Sequence, residues 1–271
     1  MDKQPFNEKK STSNHATDKK NKKKSFGFKK FFLALLTLFI VVFLGVGCGL
    51  VAIGLDGDKD VSDIHPPASS QILDMNGNLI TNIHATENRT LVTLDKIPAN
   101  LQNAFIAVED NRFYEHNGID PRGIFRAIYS NLTSGEVAEG GSTITQQLAK
   151  NAFLSQDRTF KRKIQEFFIA LRLERQYTKE EILEMYLNQI YFGRGAYGVQ
   201  AAAQTYFGKD VSQLDLSECA MLAGIPRSPN YYSPLNNLGA ANERKAEVLD
   251  QMVKYGYIDS TTADKTKAES L

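Results

Sequence analysis

The stretch of sequence that decides the fold is AFIAVEDNRFYEHNG, residues 104–118. Two adjacent acids, Glu109 and Asp110, directly follow an apolar run, and Phe113 and His116 come shortly after them. A carboxylate packed against apolar side chains resists ionisation, so a carboxyl in that setting can exchange protons near neutral pH. An acid at a helix end is, however, more often a solvated or capping group. This stretch on its own therefore supports either a catalytic or a structural interpretation.

The 271-residue chain is close to neutral, but its charges are unevenly distributed. Residues 1–30 hold ten lysines and three acids, a net charge of +7, and residues 31–55 hold no charge. The remainder has 22 Lys and Arg against 28 Asp and Glu, a net charge of −6. A basic tail, an apolar run and a mildly acidic body are typical of a membrane protein with a defined orientation. A nucleic-acid-binding protein would carry its basic surface on the folded domain, so we expect no nucleic-acid partner.

Residues 31–55 predict one transmembrane helix, because 25 uncharged and mostly apolar residues are long enough to span a bilayer. A cleaved signal peptide would have a shorter apolar region. A lipoprotein signal at Cys48 would usually have a large aliphatic residue where Gly45 stands. We therefore predict a disordered, basic cytoplasmic tail over residues 1–30, the anchor over residues 31–55 and a linker over residues 56–70.

Beyond the linker, the sequence predicts a short β segment followed by helices. Residues 71–83 predict a β-hairpin, because apolar residues flank an Asn76-Gly77 turn. Residues 90–94 predict a further strand. From Pro98 onward the apolar residues recur at helical spacing, so we predict a mainly α fold.

The sequence GGSTITQQLAKN, residues 140–151, combines two glycines with hydroxyl and amide side chains. The structural interpretation is a loop and a helix capped by Ser142 or Thr143. The functional interpretation uses the same geometry, because free amides and hydroxyls at the start of a helix bind anions. Gln147 belongs to this polar set, and Lys150 adds a positive charge about one turn later.

Residues 158–177 predict a long amphipathic helix. Arg162, Lys163 and Glu166 fall on the side opposite the predicted core face. An exposed ion pair between Arg162 and Glu166 would contribute only about 0.2–0.5 kcal/mol, and the spacing alone favours that interpretation. The predicted core face consists of apolar residues at three- and four-residue spacing: Phe160, Ile164, Phe168 and Leu171.

The sequence KEEILEMYLN, residues 179–188, predicts another helix. Thr178 is its predicted N-cap, and Glu181 stands where the second residue of a capping box is expected. Together with RKIQE at residues 162–166, the stretches above resemble the peptidoglycan glycosyltransferase family in order and spacing. This family includes the monofunctional transglycosylases and the N-terminal catalytic domain of class A penicillin-binding proteins.

The resemblance covers about residues 71–257 of the chain. The segment AGIPRSPNYYSP, residues 223–234, is similar to a fifth stretch of the family. The resemblance implies a lysozyme-like, two-lobed, mainly α glycosyltransferase domain over residues 71–271, with a small β-hairpin at its start. The smaller, membrane-facing lobe is expected around residues 151–160 and the preceding loop.

The resemblance also implies an activity, the polymerisation of lipid II into β-1,4-linked glycan strands with inversion and release of undecaprenyl diphosphate. Glu109 aligns with the family's base and Glu166 with its second catalytic carboxylate. Lys150, Arg158 and Lys163 align with its phosphate-contacting cations. The implied substrate-binding residues are Asp110, which we expect to orient the site, and Ser142, Thr143, Gln147, Lys150, Arg158, Lys163 and Asn188.

For the second carboxylate, Glu166, two roles stay open. It either holds a divalent cation, magnesium or manganese, on the diphosphate, or it orients the cationic side chains. The implied partners are lipid II, the growing glycan strand, membrane lipid and other proteins of cell wall synthesis. We expect a single-pass protein of a bacterial plasma membrane with an extracytoplasmic domain. The SxxK, SxN and KTG motif set of a transpeptidase is absent from this sequence, so we expect no such activity.

Two other classes of protein share part of this pattern. A lysozyme-like hydrolase also uses an acidic residue in a helical cleft, but it does not need an anchor and cations for a lipid diphosphate. A non-catalytic membrane scaffold has no need for Glu109 together with Glu166. Both carboxylates in one cleft would therefore count against a scaffold.

Overall fold

The computed structural model describes six positions between residues 33 and 49 and, beyond them, residues 70–73, 75, 79–83, 88–134, 140–154, 157 and 159–269. The predicted tail over residues 1–30, anchor over residues 31–55 and linker over residues 56–70 lie outside the described residues, apart from those six positions and Ser70. In the described part of the chain, no helix is both long and apolar enough to cross a membrane. These three predictions stay predictions.

Two short pairs of strands precede and interrupt the helices. β1 (Ser70–Leu73) pairs antiparallel with β2 (Leu79–Ile83), which confirms the predicted hairpin. The Asn76-Gly77 turn between them lies outside the described residues. β3 (Asn88–Arg89) pairs in parallel with β4 (Ala196–Tyr197), far along the chain.

The predicted strand over residues 90–94 is wrong. Only Asn88–Arg89 forms a ladder here, and Leu94–Lys96 forms a 3-10 turn. The backbone between them is satisfied by side chains instead of a neighbouring strand. Val92 donates its N–H to Oδ1 of Asn188 at 2.9 Å, and its carbonyl accepts from Nδ2 at 2.8 Å.

Helices make up most of the remaining described chain, which confirms the mainly α prediction. Thr178 caps the fifth helix in a capping box with Glu181, as the sequence predicted. Of the two predicted caps of the third helix, Ser142 and Thr143, Thr143 is the N-cap, and it forms a capping box with Gln146. The chain divides into two compact units, Met1–Gly49 and Leu50–Leu271, and these helices belong to the second. They are α1 (Ala99–Glu109), α2 (Pro121–Ser134), α3 (Ile144–Phe153), α4 (Phe160–Gln176), α5 (Lys179–Gln189), α6 (Val199–Phe207), α7 (Leu216–Gly224), α8 (Leu238–Lys254) and α9 (Ser260–Ala268).

One apolar core holds the helices together, with α1 packed on α7 and α8 and α3 packed on α4 and α5. Phe105 of α1 is fully buried and meets the rings of Tyr186 and Phe192 edge to face, with centroids 5.9 and 6.1 Å apart. Such pairs add to the stabilisation from burial. They fix the C-terminal end of α1, where Glu109 lies.

Helix α4 buries a different face from the predicted one. Phe160 is 77% exposed, and the other three predicted core residues are only partly buried. Both faces have helical spacing, so packing rather than periodicity decides which one is buried. The glutamate predicted to face away from the core is therefore directed into the protein. The residues buried on α4 are Glu166, Ile169, Ala170 and Leu173.

Candidate active site

A cavity of about 1010 Å³ opens beside the C-terminal end of α1. Four predicted site residues line it, namely Glu109, Ser142, Gln147 and Lys150. The fold thus brings together residues from two separate sequence motifs. A second cavity of about 400 Å³ is also lined by Glu109 and by Gly140, so Glu109 borders both cavities.

Glu109 is the last residue of α1 and is partly buried. Its Oε2 accepts a hydrogen bond from Nε2 of Gln147 at 2.7 Å. The Oε1 of Gln147 in turn accepts from the hydroxyl of Tyr186 at 3.3 Å. Burial raises the pKa of Tyr186 well above its usual value, and the charges of Glu109 and Asp110 act in the same direction. The hydroxyl is therefore a neutral donor.

Asp110 connects the end of α1 to the start of α3. Its side chain is buried, and its Oδ2 accepts a hydrogen bond from the backbone N–H of Ile144 at 3.0 Å. Both of its oxygens also lie 3.0 Å from Nε2 of His116. Ile144 is the first residue of α3, so this carboxylate fits the predicted orienting role. A direct contact between Asp110 and substrate stays a prediction.

Thr143, like Asp110, helps to fix the start of α3. Its hydroxyl donates to the carbonyl of Gly118 at 2.6 Å and accepts from the N–H of Gln146 at 3.1 Å. Gly118 has φ +86°, and a Cβ there would lie 3.0 Å from the carbonyl oxygen of Ala170, so the position favours glycine. Thr143 is buried and its hydroxyl is used twice. The structure therefore gives it a positioning role, and its contact with substrate stays a prediction.

Lys150 lines the cavity and is partly buried. Burial lowers the pKa of Lys150, and the positive charges of Arg162 and Lys163 act in the same direction. The negative charges of Glu166 and Glu109 oppose this shift. An ammonium held partly out of water interacts more strongly with an anion than a fully hydrated one does.

Lys163 and Glu166 form a pair on α4 whose two ends differ in exposure. The Lys163 side chain is 45% exposed, whereas that of Glu166 is 3% exposed. The ammonium of Lys163 donates to Oε1 of Glu166 and also to Oγ of Ser142, the latter at 2.8 Å. Glu166 thereby directs Lys163 toward the start of the second motif. Arg158, the third predicted cation, lies outside the described residues.

The acidic side chains bear on the divalent cation that was predicted on the diphosphate. In the described residues, no group of three or more His, Cys, Asp and Glu side chains is arranged to hold a metal ion. Of the two roles predicted for Glu166, its contact with Lys163 corresponds to the orientation of a cation. The magnesium or manganese ion on the diphosphate stays a prediction.

Asn188 lies under the site rather than in the cavity. Its side chain bonds the backbone of Val92 in both directions and donates to the carbonyl of Glu184 at 2.9 Å. A Cβ on Gly198, which has φ +81°, would lie 2.7 Å from the carbonyl oxygen of Asn188. Asn188 therefore joins α5 to the chain before α1, and its contact with substrate stays a prediction.

Three arginines that line the cavity were not selected from the sequence. They are Arg89, Arg227 and Arg244. With Lys150 they make four cationic side chains around the single carboxylate of Glu109, counted among the described residues. An excess of positive charge in a concave site favours an anionic substrate.

A sequence signal existed for Arg244. It lies at helical spacing from Ala240, Ala241 and Val248 on the buried face of α8, where a charged residue is rare unless it is paired. Its guanidinium donates to Glu247 at 2.6 Å. Arg89, in contrast, reaches the cavity through the pairing of β3 with β4, which no local pattern indicates.

The chain is similar to a known protein family and to several known proteins. Residues 76–253 match the family model described as Transglycosylase. The chain is 45% identical over 247 residues to penicillin-binding protein 1F of Bacillus subtilis, and the aligned region covers 90% of this chain and 34% of that protein. It is 47% identical over 247 residues to penicillin-binding protein 1A of Escherichia coli, and the aligned region covers 90% of this chain and 29% of that protein.

A solved structure is also similar to part of the chain. The 2.6 Å crystal structure of penicillin-binding protein 1A from Haemophilus influenzae has 28% sequence identity and a TM-score of 0.45. The match covers 76% of this chain and 21% of that one. The chain spans about a third of the length of the curated relatives it matches.

Proposed function

This chain belongs to the transglycosylase family, and we propose that it polymerises lipid II into β-1,4-linked glycan strands and releases undecaprenyl diphosphate. The observation that carries the proposal is that Glu109 and Lys150 line the same cavity. A base for the attacking hydroxyl and a cation for the leaving group are the two groups that this reaction needs.

In the proposed reaction, Glu109 takes the proton from the 4-hydroxyl of the acceptor GlcNAc. The hydroxyl oxygen attacks the anomeric carbon of the donor while the bond from that carbon to the diphosphate oxygen breaks. The electron pair leaves with the diphosphate, and attack from the opposite face inverts the configuration. Glu109 lines both cavities, which supports a reaction that joins two sugars.

In this mechanism, cationic side chains stabilise the negative charge that develops on the diphosphate. Lys150 and the three arginines line the cavity, and Lys163 lies close by on α4. A diphosphate and Glu166 repel each other, so we assign Glu166 to hold Lys163 in place rather than to contact substrate. All steps of this mechanism use side chains of the chain itself.

We propose that the domain works at the outer face of a bacterial plasma membrane, anchored by residues 31–55. Exposed apolar side chains on α2 support this location, because a contiguous apolar stripe is costly in water and fits the surface of a bilayer. Arg122 and Arg126 on the same helix can interact with anionic headgroups. The stripe consists of Phe125, Ile128, Tyr129 and Leu132, each more than half exposed.

A substrate-presentation assay tests this location. The double variant Phe125→Ser/Leu132→Ser should slow polymerisation of lipid II in vesicles more than in detergent, with thermal unfolding unchanged. Equal effects in both media would contradict the membrane role of α2. Protease added to intact spheroplasts should digest the domain and spare residues 1–30. Digestion of the tail alone would contradict the orientation.

Two substrates separate the proposed activity from its rivals. The wild-type chain given lipid II should form polymer, and the same chain given purified cell wall should release no fragments. A hydrolase would release fragments and form no polymer. A scaffold would do neither, so either of these results would refute the proposed function.

A further inference from the structure

We propose that Tyr186 is a positioning residue for the general base and that it acts through the amide of Gln147. This inference rests on the base role proposed for Glu109. Tyr186 lies in α5, and its ring is fully buried edge to face against Phe105, with centroids 5.9 Å apart. The core therefore holds the hydroxyl of Tyr186 in one place.

The orientation of the Gln147 amide links Tyr186 to Glu109. An amide side chain has one donating and one accepting end, whereas a carboxylate only accepts. Nε2 of Gln147 donates to Glu109 at 2.7 Å, and its Oε1 accepts from Tyr186 at 3.3 Å. If the amide were reversed, its oxygen would face a carboxylate oxygen without a hydrogen between them. The carboxylate of Glu109 therefore sets the orientation of the amide, and the hydroxyl of Tyr186, by donating to the amide oxygen, holds the Gln147 side chain in that position.

Three helices converge on this carboxylate. Glu109 ends α1, Gln147 lies in α3 and Tyr186 lies in α5. A general base must meet its substrate proton within hydrogen-bond distance, and a small misalignment slows the reaction. The hydrogen bonds from Tyr186 to Gln147 and from Gln147 to Glu109, here called the Tyr186 relay, set the direction of the carboxylate before substrate arrives.

The variant Tyr186→Phe tests the relay, because it keeps the ring and removes only the hydroxyl. We expect kcat for lipid II polymerisation to fall roughly three- to tenfold, the effect of losing one neutral hydrogen bond. KM should change little, since Tyr186 does not contact the cavity in this arrangement. Tyr206→Phe is the matched control. Its hydroxyl donates to the carbonyl of Phe192 at 2.6 Å, outside the relay, and kcat should stay at the wild-type value.

A double-variant cycle separates this role from a general structural one. Gln147→Met should itself lower kcat, and in that background Tyr186→Phe should lower kcat no further, because the amide is already gone. Thermal unfolding is measured for every variant. Additive losses, or a wild-type kcat in folded Tyr186→Phe, would overturn the inference and leave the proposed function intact. A wild-type chain that forms no polymer would refute the proposed function and this inference together.

Discussion

Replacing Lys163 by alanine should destabilise the protein more than the loss of a surface ion pair would, because its partner is buried. The Glu166 side chain is 3% exposed, whereas that of Lys163 is 45% exposed. Lys163→Ala therefore leaves a carboxylate inside the protein without its ammonium. It also removes the donor to Ser142, which lines the cavity.

The expected magnitude lies between two limits. An exposed ion pair contributes at most about 1 kcal/mol, and removal of one partner from a fully buried pair costs about 3–5 kcal/mol. Because water reaches the Lys163 end, we expect a loss of about 2 kcal/mol, or about 4–8 °C in Tm for a domain of this size. Glu166→Gln leaves Lys163 in contact with water and should cost less than about 1 kcal/mol.

The assay combines thermal unfolding with lipid II polymerisation for the two single variants and the double variant Lys163→Ala/Glu166→Gln. The double variant should regain most of the lost stability, because no unpaired carboxylate remains, while polymerisation stays low. Equal losses below about 0.5 kcal/mol in both single variants would refute the reasoning from burial. Wild-type turnover in the stable double variant would show that Lys163 serves stability alone.

Three further predictions concern single side chains. Lys150→Met should lower polymerisation without lowering stability near neutral pH. Burial lowers the pKa of Lys150, so the charged form is less favourable in the folded protein than in the unfolded chain. The stability that the variant gains by removing this charge should therefore fade as pH rises toward 10.5, the pKa of a free lysine. A lower Tm at neutral pH would contradict this. Asn188→Ala removes three hydrogen bonds and should lower the free energy of unfolding in urea by about 2–4 kcal/mol, and a loss below about 1 kcal/mol would contradict its positioning role. Burial raises the pKa of the Cys219 thiol to about 12. In a Cys48→Ser variant, in which Cys219 is the one cysteine, a thiol reagent at pH 8 should therefore label the protein only after unfolding. Labelling of the folded variant would contradict this prediction.

Local sequence signals predicted where helices begin, because capping depends on residues three positions apart. Thr178 and its helix α5 are one confirmed example. The buried face of α4 could not be predicted in the same way, since two different stripes of residues both have helical spacing. Packing against α3 decides which of the two faces is buried. The salt bridge from Lys163 allows the buried face to contain the carboxylate of Glu166.

In the candidate site, too, some features could be predicted from the sequence and others depend on how the helices pack. The motifs predicted that Glu109 and Lys150 lie at the site, and the structure places both at one cavity. The contacts of Asp110, Thr143 and Asn188 could not be predicted from spacing. Each of these short polar side chains bonds backbone groups far away in the sequence, and such contacts form only when the helices pack.

The most direct test of the proposed function is lipid II polymerisation by Glu109→Gln beside the wild type. Glutamine keeps the size of the side chain and its hydrogen-bonding capacity, but it does not act as a base for a sugar hydroxyl. The rate should fall by about 10²–10⁴-fold while thermal unfolding stays close to that of the wild type. Polymerisation at a near wild-type rate by the folded variant would contradict the assignment of Glu109 as the general base.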